Sequence, residues 1–85
     1  MAHPERDGKV IDANYGSLTT REQEIMRLLA EGFPKKAIAE RLCIGYKTVD
    51  NHTTKIFKKL SIHTNLELTR YAAKLGLIDV DIWKT

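Results

Sequence analysis

Apolar positions recur at helical spacing through most of this chain, and no stretch alternates between apolar and polar residues as a strand would. The pattern predicts four short helices, at about residues 19–31, 35–42, 46–60 and 65–75. Two Thr-x-x-Glu sequences, beginning at Thr19 and Thr64, are typical of capping boxes at helix starts. Gly32 and Gly76 are natural helix ends. The predicted fold is therefore all-α, a four-helix bundle-like domain.

The third predicted helix has two chemically opposed sides. One side is mainly apolar and can pack on a small core: Tyr46, Val49, Thr53, Ile56, Phe57 and Leu60. The other side carries hydrogen-bond donors and no carboxylate: Lys47, Asn51, Thr54, Lys55 and Lys58. A short helix and a tight break around residues 43–45 precede it. This order is typical of a helix-turn-helix that binds DNA.

The length of 85 residues allows one small domain. Residues 1–17 are polar and lack a sustained period, so they are predicted to be a flexible linker or arm, with Val10, Ile11 and Tyr15 able to dock on the domain. The helix-turn-helix domain is predicted over residues 18–80, followed by a C-terminal tail at 81–85. Leu77 and Ile78 are expected to fold back onto the core.

The net charge of +3 is mild, but its distribution is uneven. Residues 35–59 contain seven basic and two acidic residues, whereas residues 1–34 contain four basic and six acidic residues. Positive charge is thus concentrated in the segment that resembles a groove binder, as expected of a nucleic-acid site. A solvated, lysine-rich helix face is the alternative that charge alone leaves open.

Other functional classes lack support in the sequence. The one cysteine, Cys43, rules out an intrachain disulfide and is expected to pack after Leu42. No membrane span or signal peptide is recognisable, so a cytoplasmic location is expected. His52 has no metal-ligating partner at workable spacing, and no catalytic motif is present. We therefore predict no catalytic residues, no metal and no cofactor: the chain is not expected to be an enzyme.

With these residues placed, the chain resembles the LuxR/FixJ-type (GerE-like) DNA-binding domain of bacterial transcription regulators. The resemblance covers roughly residues 18 to 78. It rests on these motifs: Leu18-Thr19-x-Arg21-Glu22, Gly32, Ile38-Ala39-x-x-Leu42, Thr48-Val49-x-x-His52, Ile56, Lys59-Leu60, Tyr71-Ala72 and Gly76-Leu77-Ile78. Each is weak alone, but their order and spacing are specific.

The resemblance implies that the third helix enters the major groove of double-stranded DNA and that the fourth pairs two copies on a two-fold site. It also implies an upstream regulatory domain, of response-regulator or quorum-sensing type, that is missing here or separate. Three positions depart from the family's pattern. Gly45 stands where a capping serine is usual, Asp50 where a lysine is frequent, and Asn65 where an arginine is common.

The helix wheel and the family positions together predict the DNA contacts. Base reading is assigned to Asp50, Asn51 and Thr54; Asn51 can pair bidentately with adenine and Asp50 can accept from cytosine. Phosphate contact is assigned to Lys35, Lys36, Lys47, Thr48, Lys55 and Lys58, which set affinity and register rather than sequence preference. The first two open a helix whose N-terminal amides favour phosphate.

The fourth predicted helix has a second apolar side besides the one that faces the core. Leu66, Thr69 and Ala73 share this side, with Arg70 on its edge. Because the side is small, the domain is expected to be mostly monomeric alone and to form a homodimer on DNA. Surface tolerance of small residues is the plain alternative.

Two other functions remain open from the sequence. One is a small helical protein-interaction module, in which the basic surface is non-specific and the fourth helix binds a partner. The other is a DNA-binding domain like region four of a sigma factor, which ranks lower because promoter-core motifs are absent. Sequence-specific DNA binding by a bacterial transcription regulator is the function that the sequence favours.

Overall fold

The computed structural model describes residues 13–78, and the predicted tail 81–85 and residues 1–12 of the predicted arm lie outside this range. Within it the chain forms helices and no strands, as predicted. The helices are α1 (Ala13–Gly16), α2 (Thr20–Ala30), α3 (Lys35–Leu42), α4 (Tyr46–Leu60) and α5 (Asn65–Lys74). The four predicted helices correspond to α2–α5, with bounds that differ by at most one residue.

Helix α1 is a single turn that the sequence pattern did not predict, within the segment expected to be an arm. A turn of four residues is too short to display a period and too short to be stable alone. It contacts α4, and Tyr15 packs against the core. Docking of this tyrosine was anticipated, whereas the helical turn that carries it depends on tertiary contacts.

The core lies between α2, α4 and α5, with α3 packed on α4. Its largest fully buried side chains are Ile25, Met26, Ile38, Val49, Ile56 and Leu68. Val49 and Ile56 are among the positions that the helical period assigned to the apolar side of the third predicted helix. Leu77 and Ile78 are partly buried and pack against the same cluster, as expected. The core sets the rotation of α4 about its axis and thereby the face that it presents to solvent.

The two predicted capping boxes differ. At α2 both reciprocal bonds form: the Glu22 amide donates to Thr19 Oγ1 at 3.1 Å, and the Thr19 amide donates to Glu22 Oε1 at 2.9 Å. At α5 only the first bond forms, from the Glu67 amide to Thr64 Oγ1. Glu67 Oε1 instead accepts from the backbone amide of His63, the residue before Thr64, at 2.6 Å. The second prediction was therefore half right.

Four helices, α2 to α5, end in the same backbone arrangement. A residue with positive φ is followed by an apolar residue whose amide donates to the carbonyl five residues earlier, the hydrogen bond of a Schellman motif. The apolar residue packs against the core in each case. The four pairs are Gly32–Phe33, Cys43–Ile44, Ser61–Ile62 and Gly76–Leu77.

Cys43 and Ser61 occupy the left-handed conformation without being glycine, each with φ of 58°. From the sequence, the side chain of Cys43 was expected to pack inside the domain, and that expectation was wrong. Its side chain is exposed because the left-handed turn points it outward while the next residue, Ile44, packs inward. Packing therefore does not account for the cysteine at this position.

Candidate nucleic-acid interface

Helix α4 presents an exposed, basic face that matches the wheel prediction. The residues assigned to this face are all exposed: Lys47, Asn51, Thr54, Lys55 and Lys58. On the opposite side Val49, Thr53, Ile56 and Leu60 are buried. The sequence pattern alone was sufficient here because a 15-residue helix with a regular period has one way to bury its apolar side.

Tyr46 departs from that pattern. It was assigned to the apolar side with partial packing, but it is 56% exposed at the first position of α4. Val49, almost one turn later, is the first buried residue of the helix. Tyr46 is therefore an aromatic surface group at the same end of α4 as Lys47 and Thr48. Its position at the helix start was therefore a better indication of its exposure than its place on the helical wheel.

The start of α4 also departs from the resemblance. Gly45 occupies the N-cap position with φ of −74°, and no side chain caps the helix. This φ is ordinary for any residue, and an added Cβ would meet only Thr48 Oγ1, at 3.9 Å. The backbone would thus accept the serine that is usual in the family. The amides of the first turn of α4 accordingly lack a capping side chain.

The three predicted base-reading residues have different surroundings. Asn51 is exposed, and no described residue forms a hydrogen bond with its side-chain amide. Thr54 is exposed too, but its hydroxyl donates to the backbone carbonyl of Asp50 at 3.2 Å. Thr54 can still present a methyl group and an acceptor oxygen. Asn51 alone retains the full donor and acceptor capacity needed for bidentate contact with a base.

Asp50 forms an ion pair that sequence analysis did not predict. Its Oδ1 atom lies 2.7 Å from Nζ of Lys35, the first residue of α3. The hydrogen bond from Lys35 and its positive charge, with Lys47 contributing, hold the pKa of Asp50 below its usual range despite some desolvation. Two residues that were assigned different DNA contacts are thus joined. The other predicted phosphate-contacting lysines form no ion pair among residues 13–78.

A second ion pair lies behind the interface, inside the domain. Lys59 Nζ donates to Glu22 Oε1 at 2.8 Å and to the Ser17 carbonyl at 3.3 Å. Glu22 is only 2% exposed. Burial alone raises the pKa of Glu22, but the bonds from Lys59 and the Thr19 amide, with the charges of Lys59 and His52, lower it overall. Lys59 therefore stabilises the domain and does not belong to the exposed basic face of α4.

His52 is half-buried between the two sides of α4, and its Nδ1 atom is buried without a hydrogen-bond partner among the described residues. Within residues 13–78 no three His, Cys, Asp or Glu side chains are grouped so as to hold a metal ion. In the same range, no helix has the length and hydropathy needed to cross a lipid bilayer.

The residues predicted to pair two copies lie on the surface of α5. Leu66 is 53% exposed, Arg70 is exposed, and Thr69 and Ala73 are half-buried. Leu68, Ala72 and Leu75 face the core from the opposite side. Leu66 and Thr69 also line a groove of about 290 Å³ against residues 32–35. Leu66, Thr69, Arg70 and Ala73 therefore lie together on the side of α5 that faces away from the core.

The family model of bacterial regulatory proteins of the luxR family matches residues 16–72, which is more than half of the chain. The chain belongs to this family, as its resemblance indicated. Together with the basic face of α4, this membership supports a DNA-binding domain of a transcription regulator. The family consists of transcription regulators and not of enzymes.

Similar curated proteins are longer than this chain. YgeK of Escherichia coli K12, a response regulatory protein, is 39% identical over 77 residues, which cover 87% of this chain and 52% of YgeK. The transcriptional activator ExaE of Pseudomonas putida is 38% identical over 78 residues, covering 92% and 36% respectively. The oxygen regulatory protein NreC of Staphylococcus carnosus TM300 is 45% identical over 62 residues, covering 73% and 29%. The chain thus spans about a third to a half of these relatives.

Proposed function

We propose that this domain binds a specific sequence of double-stranded DNA by placing α4 in the major groove. The observation that carries this proposal is the exposed face of α4, where Asn51 stands free among four basic or hydroxyl-bearing neighbours. An α-helix fits the major groove, where each base pair offers a distinct pattern of donors and acceptors. Residues near the start of the recognition helix are those that reach base edges.

The side chains divide by their chemistry. Asn51 is proposed to read a base, with Thr54 and Asp50 beside it. Lys36, Lys47, Thr48, Lys55 and Lys58 are proposed to contact phosphates on either side of the groove. Lys35 was assigned to phosphate as well, but its ammonium group forms an ion pair with Asp50.

Two copies are proposed to bind a two-fold site through α5. The support is the second apolar side of α5, formed by the exposed Leu66 and the half-buried Thr69 and Ala73, with Arg70 at its edge. This side is small beside the interface of roughly 800 Å² per partner in stable complexes. A domain that is mostly monomeric alone and dimeric on DNA follows from this size.

The whole protein is proposed to be a regulator in which another domain controls DNA binding. The relatives YgeK, ExaE and NreC, which are named as regulatory or activator proteins, support this proposal. Each is substantially longer than the matched region.

Selection of bound duplexes from a random library tests the proposal, followed by titration of the preferred duplex and a scrambled control at several salt concentrations. A two-fold consensus bound at least about a thousandfold more tightly than the control is expected. Equal, steeply salt-dependent binding to both duplexes would leave only a non-specific basic surface. That result would favour the protein-interaction module.

A further inference from the structure

The ion pair between Lys35 and Asp50 places an ammonium group and a carboxylate side by side within the proposed interface. Lys35 belongs to α3 and Asp50 to α4, so the pair bridges the two helices of the helix-turn-helix. Neither side chain is enclosed: the exposed fractions are 34% for Lys35 and 42% for Asp50. A lone carboxylate on this surface would repel DNA phosphates. Pairing with an ammonium group neutralises it and leaves both groups accessible.

The pair retains hydrogen-bonding capacity. An ammonium group has three donors, and one is directed at Asp50 Oδ1. Two donors of Lys35 remain for another partner. On the carboxylate, Oδ2 forms no hydrogen bond with a described residue, so it can accept one. The pair therefore offers two donors and one acceptor side by side, on two groups that a hydrogen bond of 2.7 Å between Nζ and Oδ1 holds together.

This arrangement matches the major-groove edge of a G·C base pair. Guanine presents the adjacent acceptors N7 and O6, and cytosine presents the N4 amino donor next to O6. The O6 and N4 atoms are themselves hydrogen-bonded, roughly 2.9 Å apart. An ammonium facing N7 and O6 and a carboxylate facing N4 would thus be direct neighbours, as the side chains of Lys35 and Asp50 are. A T·A pair fits less well because thymine offers one acceptor beside a methyl group.

We propose that Lys35 and Asp50 act as one unit that reads a single G·C base pair in each half-site. The proposal rests on the proposed function, since it requires α4 to lie in the major groove. It makes Lys35 a base-reading residue contributed by α3 and replaces the phosphate contact predicted for it. Asp50 keeps its predicted contact with cytosine, but depends on Lys35 to make that contact favourable.

The test measures binding of the preferred duplex and of every single base-pair substitution in one half-site. Wild type, Lys35→Ala, Asp50→Ala and the double variant are compared. At one position wild type should prefer G·C by about 5- to 150-fold. Each single variant should lose this preference while keeping the others, and the double variant should lose no more than either one. Lys35→Arg should retain it, because arginine also pairs with guanine N7 and O6.

Lys36→Ala is the matched control, since Lys36 is the neighbouring lysine and is exposed without an ion pair to any described residue. It should keep every base preference and flatten the salt dependence by about one. If Lys35→Ala behaves like this control, or if Asp50→Ala merely tightens binding to all duplexes, the unit does not read a base. A preference for T·A would also overturn the assignment. A wild-type protein without any preferred duplex would overturn the proposed function as well, whereas intact preferences in the variants would overturn the unit alone.

Discussion

Lys59 and Glu22 are 37 residues apart in the chain and form an ion pair of 2.8 Å between the end of α4 and the start of α2. The same carboxylate closes the capping box of α2 through the Thr19 amide. Glu22 therefore joins a local helix signal to the placement of α4. Because Lys59 is on α4, this bond also helps to orient the exposed basic side of that helix.

Glu22→Gln is expected to destabilise the domain by about 1–2 kcal/mol at pH 7, because the carboxylate charge that pairs with Lys59 is removed while the side-chain oxygen can still accept from the Thr19 amide. The pKa of Glu22 is lowered in the folded state, so its contribution is present above the unfolded pKa and is lost as the pH falls through the folded value. The difference between variant and wild type should therefore shrink at acid pH. Urea unfolding followed by circular dichroism at several pH values measures it.

Glu24→Gln is the control for this prediction, because Glu24 pairs with Arg21 on the surface of the same helix. Its effect should be within about 0.5 kcal/mol at any pH. An equal loss of stability in the two variants would show that burial of Glu22 is unimportant.

Ser61→Gly is expected to stabilise the domain by roughly 0.5–1 kcal/mol, because Ser61 holds a φ of 58° that glycine adopts without strain. Thermal or urea unfolding measures the gain. Ser61→Ala retains a Cβ atom and should give no such gain. Stabilisation by alanine as large as that by glycine would mean that the serine hydroxyl, and not backbone strain, is the unfavourable element.

Lys58→Ala is expected to weaken binding to cognate and scrambled duplexes alike and to flatten the salt slope by about one, because a single phosphate contact is removed. Lys74→Ala removes the same charge from the end of α5 and should leave the slope unchanged. Titration against salt concentration separates the two variants. The same slope change in both would indicate that net charge alone governs binding.

Asn51→Ala is expected to weaken binding to the cognate duplex by roughly 1–3 kcal/mol and to spare the scrambled duplex, because a base contact is lost and phosphate contacts are kept. Competition titrations with both duplexes provide the measurement. Equal weakening on both would assign Asn51 to the DNA backbone.

Ala73→Glu is expected to lower occupancy of a duplex with two half-sites while leaving affinity for a single half-site unchanged, because a charge enters the proposed contact between two copies. Since Ala73 is half-buried, circular dichroism checks the fold, and Leu66→Ala at a more exposed position provides a second variant. Lys74→Ala is the charge control on the same helix, because it changes the net charge by the same one unit as Ala73→Glu. If Ala73→Glu and Leu66→Ala both leave the number of protein copies on the two-half-site duplex unchanged, this side of α5 is excluded as the dimer contact.

The sequence by itself determined the helices and their faces. Helical period, the Thr19 cap and Gly32 are local signals that act within a few residues, so the bounds of α2–α5 and the exposed side of α4 could be predicted from them. The motifs that resemble the family can also be read from the linear sequence, and their order and spacing were enough to recognise the family.

The tertiary structure decided what depends on distant neighbours. The partners of Asp50 and Glu22 come from other helices, and no local pattern encodes which lysine reaches them. The turn at Ala13–Gly16 and the outward position of Cys43 likewise depend on what packs beside them. The exposed basic side of α4 was predicted from the sequence because it follows from helix geometry. The pairing of charges on that surface depends on how the helices pack against one another.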